Sequence, residues 1–134
     1  MKKTGIMNAP ISAVVAGMFH TDMVTVADAG LPVPMGTACI DLTVKPGVPA
    51  LLDTLEVVLS ELHIEKAYVS AEIMTVSPAR FEEIKKMLGN VPIEPLPHVE
   101  FKKLTASTKA VIRTADFTPY SNVILVAGAW GFNV

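Results

Sequence analysis

A histidine and two aspartates crowd the stretch "GMFHTDMVTVADAGLPVP", Gly17 to Pro34, where His20 and Asp22 precede a short apolar run and Asp28 follows it. Histidine is the side chain whose unperturbed pKa lies nearest physiological pH, which makes His20 the candidate for proton transfer. At a helix end the same ring would instead bond the last free carbonyls. Asp22 either orients that ring or faces solvent. Asp28 is either a ligand-binding carboxylate or a turn-former that accepts from backbone N–H groups before Gly30. Further along, Tyr120, Ser121 and Asn122 offer a phenol, a hydroxyl and an amide, groups that hold a polar ligand without charge chemistry. The alternative for Tyr120 is a structural role in a turn. His98 opens or caps a short helix, and His63, beside Glu61 and Glu65, reads as surface. Arg113 stands in an apolar run, where it pairs with Asp116, meets a neighbouring subunit or touches ligand.

What is missing narrows the chemistry. No GxGxxG or GxxxxGK[ST] follows a candidate strand, so no nucleotide cofactor is expected. Cys39 is the sole cysteine, which leaves no intrachain disulfide and no thiolate cluster; within a predicted strand it reads as a small buried hydrophobe. His20, Asp22 and His98 are metal-ligand types without a characteristic spacing, and no metal is expected. A net charge of -2 and the lack of a Lys/Arg run argue against nucleic-acid or anionic-membrane partners. Asn8 and Pro10 interrupt the apolar N-terminal segment, and Ile11 to Phe19 is too short to span a bilayer, so a helix and a cytoplasmic location are expected.

The elements that must position these residues follow from pattern. With 134 residues, 51% hydrophobic and 18% charged, the chain is read as one domain, residues 1–134, whose surplus apolar surface points to a homo-oligomer. Trp130 and Phe132 near the C-terminus fit an interface. Asn8 caps the first helix and Pro10 suits its first turn. "MVTVA" (Met23 to Ala27) is a strand buried on both faces, and Gly30, Pro32 and Pro34 end it. "ACIDLTV" is a second strand, and Leu51, Leu52, Leu55, Val58, Leu59 and Leu62 recur with helical spacing. "KAYVSAEIM" reads as a strand and "SPARFEEIKKMLGN" as a helix, with Ser77 as N-cap, Pro78 first and Gly89 beyond its end. "VPIEPLP" is a loop or an edge, a short helix runs from His98 through Thr105, and "KAVIRTA" and "NVILVAGA" are strands. The alternation predicts an α/β fold, a three-layer αβα domain with a largely parallel sheet. Such sheets place ligands outside the carboxyl ends of their strands, where Asp28 stands.

"MKKTGIMN", "HTD" followed by "DAGLPVP", "GVP", "AVIRT" and "PYSNVIL" together resemble the family of ribose pyranases and fucose mutarotases, from the first residues to about Leu125. The "HTD" and "DAGLPVP" forms follow the ribose branch. The resemblance implies that His20 is the proton donor and that Asp28, His98 and the Tyr120–Asn122 stretch bind sugar. It implies exchange of the β-pyranose and β-furanose forms of D-ribose through an open-chain aldehyde, without metal, redox centre or nucleotide. It also implies a ring-like homo-oligomer, commonly a decamer of two stacked pentamers. The chain departs from the family pattern at Ala115-Asp116, where Gly-Glu is common, and in its longer, more aromatic tail. Anomer exchange on fucose and non-catalytic ribose binding that assists uptake are the alternatives.

Asp28 lies eight positions after His20, and a strand rises roughly 3.3 Å per residue, a span one sugar does not easily bridge. Each site is therefore expected to be composite, with His20 from one subunit and most sugar-binding groups from its neighbour.

Overall fold

A computed structural model describes residues 1–132 and shows six strands in one sheet, ordered β2-β5-β1-β6-β3-β4. The strands are β1 (Met23–Ala27), β2 (Cys39–Asp41), β3 (Ile64–Ser70), β4 (Ile93–Leu96), β5 (Val111–Arg113) and β6 (Val123–Ala127). The helices are α1 (Ala9–Ala16), α2 (Leu51–Glu61), α3 (Ile73–Val76), α4 (Pro78–Leu88) and α5 (His98–Thr105). Three pairings are parallel, and only β6 runs against its neighbours, β1 and β3. The expected α/β fold with a largely parallel sheet is what the chain adopts.

Side chains alternate across the sheet because successive strand residues point to opposite faces. Val24, Val26, Ala67, Val69, Ile112, Val123 and Leu125 face one core, together with Ile11 of α1, Leu51, Leu55 and Val58 of α2, and Ile84 and Leu88 of α4. Ala27, Val111 and Ile124 face the other, covered by Phe101 and Leu104 of α5 and by Leu31. The sheet thus lies between two helical layers.

Capping follows sequence in one helix and tertiary contact in another. Asn8 Oδ1 accepts from the Ile11 N–H (2.9 Å), as its position before α1 foretells. Helix α2 has no side-chain cap of its own; the carboxylate of Asp116, 65 residues on, accepts the Leu51 N–H instead (2.9 Å).

Four readings need correction. The strand read over "KAYVSAEIM" begins at Ile64 and stops at Ser70; Ile73 turns back into the core on the short α3, which packs on α4. Ser77 occupies the N-cap position, but its hydroxyl donates to the Pro119 carbonyl (2.8 Å) rather than capping α4. Cys39 is exposed, because β2 is an edge strand of only three residues. Arg113 does not reach Asp116: its Nη1 pairs with Asp41 (3.0 Å) and its Nε donates to the Ala29 carbonyl (3.0 Å).

Candidate active site

The C-terminal ends of β1, β3, β4 and β5 lie together, and the reversed β6 begins at that same end, with Val69 opposite Val123 and Val26 opposite Val123 across the two ladders. A cavity of about 360 Å³ opens there, lined among others by Asp28, Leu31, His98, Asp116, Thr118 and Tyr120. It draws on the loop after β1, the start of α5 and the loop before β6.

Asp28 is held on three sides. Its Oδ1 accepts from the N–H groups of Gly30 (3.0 Å) and Leu31 (2.9 Å), and its Oδ2 accepts from Asn122 Nδ2 (3.0 Å). Asn122 Oδ1 in turn accepts the Asp28 N–H (2.8 Å), so the two residues embrace reciprocally. Asp28 is both a turn-former and a cavity wall. A carboxylate has about four acceptor positions, and three are occupied, which leaves one toward the cavity.

His98 opens α5, with its backbone N–H donated to both carboxylate oxygens of Glu72 (3.1 and 3.0 Å). Its Nδ1 lies 2.7 Å from Ser70 Oγ, and the Tyr120 ring meets the imidazole edge-on, with ring centroids 4.9 Å apart. Burial holds the His98 imidazole below the ordinary histidine range; the Lys102 charge acts in the same direction, opposed by Glu72 and Asp28. The ring is therefore neutral at physiological pH.

Tyr120 projects from a backbone with φ of 59°, in the left-handed region that costs a non-glycine residue of order 1 kcal/mol. The adjoining Ser121 is fully buried and its Oγ accepts from Arg80 Nη1 (2.8 Å), so its side chain does not line the cavity. Arg80 Nη1 also donates to Asp116 Oδ2 (2.6 Å), and together these bonds fasten the Tyr120 loop to α4. Asp116 is pushed up by burial, but the N–H groups of Leu51 and Thr118 and the Arg80 guanidinium outweigh this and hold it below the usual carboxylate range. Ala115 needs no left-handed backbone, so glycine is not required there.

His20 stands elsewhere. It follows α1 at the opposite end of β1, where its Nε2 lies 2.9 Å from Glu65 Oε2 at the start of β3. Asp22 does not orient the ring: its Oδ2 accepts the Phe19 N–H (2.8 Å) and stands 3.6 Å from Lys109 Nζ, which shapes the turn that carries His20. Thr21, next to the histidine, has φ of 72°. Among the described residues, the two non-glycine residues in the left-handed region thus adjoin His20 and carry the Tyr120 ring.

Sequence reading missed Ser70, Glu65 and Arg80. Each lies in a regular element and meets its partner 28 to 45 residues away, so no local pattern marks it. Among the described residues, no group of three His, Cys, Asp or Glu side chains is arranged to hold a metal ion, and no helix is long and apolar enough to cross a membrane.

A neutral imidazole, a carboxylate with one free acceptor and a phenol around a small open cavity define a site for a small hydroxylated molecule. The chain belongs to the RbsD / FucU transport protein family, whose model matches residues 1–130. It is 55% identical over 128 residues to a D-ribose pyranase of Lactobacillus gasseri, covering 96% of this chain and 98% of that one. The structure of Bacillus subtilis RbsD complexed with D-ribose superposes with a TM-score of 0.93 at 46% identity, over 96% of this chain and 98% of that one. A fucose mutarotase in complex with L-fucose from Streptococcus pneumoniae shares the fold, with a TM-score of 0.76 at 16% identity over 92% and 94% of the two chains.

Proposed function

We propose that this protein interconverts the β-pyranose and β-furanose forms of D-ribose, as an isomerase that needs no cofactor. The observation that carries this reading is the convergence of Asp28, His98 and Tyr120 on one cavity, with Asn122 clamping Asp28 from behind. The high identity to a D-ribose pyranase and the likeness to a ribose-bound relative support ribose over fucose.

Ring opening removes a proton from the anomeric hydroxyl and delivers one to the ring oxygen; reclosure on another hydroxyl reverses the traffic. Positioned acid and base groups contribute about 10²–10⁴-fold. His20 protonates the ring oxygen, while Asp28, His98 and Tyr120 hold the sugar and Asn122 holds Asp28. Because His20 stands at the far end of β1 from the cavity, it reaches the sugar from a neighbouring subunit. Head-to-tail contacts of this kind close into rings. A decamer of two pentamers suits them, and exposed Phe19, Phe117 and Trp130 supply apolar surface at the two ends. The setting proposed is the cytoplasm.

Magnetisation-transfer NMR on D-ribose tests this directly. The protein accelerates pyranose–furanose exchange and His20→Ala loses the acceleration. Exchange only between fucose anomers would assign the mutarotase activity instead, and ribose binding without any exchange would make the protein a binding module.

A further inference from the structure

We infer that Ser70 is a positioning residue that fixes His98 as the Nε2–H tautomer, so that His98 gives the sugar a hydrogen-bond donor and does not take the anomeric proton. This deepens the sugar-isomerase reading and rests on it.

Ser70 ends β3 and is fully buried, and its Oγ lies 2.7 Å from His98 Nδ1. That contact is the only hydrogen bond of the hydroxyl among the described residues. Were Nδ1 protonated, it would donate to Oγ and leave the hydroxyl proton buried with no acceptor, an arrangement native structures avoid. With Oγ–H donating to Nδ1, both atoms are satisfied and the ring proton resides on Nε2.

Among the described residues Nε2 makes no hydrogen bond and is not sealed from solvent, since the only buried side-chain polar atom there without a hydrogen bond is Arg80 Nε. His98 lines the cavity, so Nε2 is the atom a ligand meets. The ring cannot readily turn: the His98 N–H is held by Glu72, Tyr120 meets the ring edge-on, and Phe101 stacks on it with ring centroids 6.3 Å apart. Burial keeps the imidazole neutral.

The anomeric proton then goes to the remaining acceptor position of Asp28, directly or through a water. The bond from C1 to the ring oxygen breaks, the anomeric oxygen becomes the aldehyde oxygen, and the ring oxygen takes its proton from His20. One proton leaves the sugar and one arrives.

The chain has three histidines, so protein labelled with ¹⁵N-histidine gives few ring signals, and His98→Gln identifies the one at issue. Long-range ¹⁵N–¹H correlation, recorded well above the ordinary histidine pKa and without ribose, shows His98 as Nε2–H; an Nδ1–H ring in the unsubstituted protein overturns the inference. In Ser70→Ala the tautomer preference weakens and ribose affinity falls about 2–10-fold, and Ser70→Thr restores both. An Nε2–H ring and full affinity in Ser70→Ala would show that Ser70 sets nothing. Because the tautomer is read without sugar, failure of ribose exchange would remove the proposed reaction and leave this result standing.

Discussion

His20 Nε2 lies 2.9 Å from Glu65 Oε2, and this pair sits at the end of the sheet opposite the Asp28–Asn122 embrace. One chain thus presents the proposed proton donor at one end of β1 and the proposed sugar-holding groups at the other. In the proposed mechanism, joining them in one site takes two chains.

Mixed assemblies test that arrangement. His20→Ala and Asp28→Ala subunits, each inactive alone, regain about a quarter of the ring-exchange rate when unfolded, mixed equally and reassembled, because in a head-to-tail ring that share of sites joins two intact partners. Sites built within one chain would stay silent in every mixture.

Arg80→Met leaves the buried Asp116 carboxylate without its cation, since side-chain exposure in the pair is only 15% and 5%. Removing one partner of such a pair costs about 3 kcal/mol, measured as a lowered denaturant midpoint. Asp116 is held below the usual carboxylate range when folded, so its contribution is fully present above the ordinary aspartate pKa and is lost as pH falls through the folded value. The acid limb of the stability curve flattens in Asp116→Asn.

His98 works in a higher window. Its folded pKa is depressed, so below the ordinary histidine pKa the unfolded chain binds the proton first and stability falls as pH falls. Urea midpoints recorded from above to below the ordinary histidine pKa decline in the unsubstituted protein and decline less in His98→Gln. Equal slopes would contradict a buried neutral ring.

Asn122→Asp exchanges the amide donor, 3.0 Å from Asp28 Oδ2, for a second carboxylate in a buried position. Like charges so placed repel. Ribose affinity falls by at least about tenfold at neutral pH, read by calorimetry, and recovers partly on acidification as one carboxylate takes a proton.

Much of the scaffold was legible locally. The bounds of β1 and α5 follow from a β-branched run closed by Gly and Pro and from a short helical pattern opened by His98. The turn at Asp28, the proline-bearing edge strand and the capped α1 follow likewise. Of the cavity-lining residues, Asp28 stood out at a strand end and Tyr120 in the turn between two strands, whereas His98 read locally as a helix opener or cap and was tied to the site by the family resemblance. What pattern does not carry is which distant side chain completes each of them. Nothing in "HTD" favours Glu65 over Asp22 as the partner of His20, and nothing near Ser121 announces Arg80; those choices are made when the sheet order brings remote elements together. The strand pattern that runs on through Met74 misleads for a related reason: Ile73 is as apolar as a strand residue, and only the core beneath α3 shows that the chain has already turned.

The reversed β6 is the last strand in chain order among the described residues and yet lies between β1 and β3. Without β6 the sheet divides into two halves, β2-β5-β1 and β3-β4, each with an open edge of the kind that pairs with another chain. Completion of the sheet, and of the cavity that the loop before β6 helps to wall, therefore waits on a strand that follows the other five in the chain.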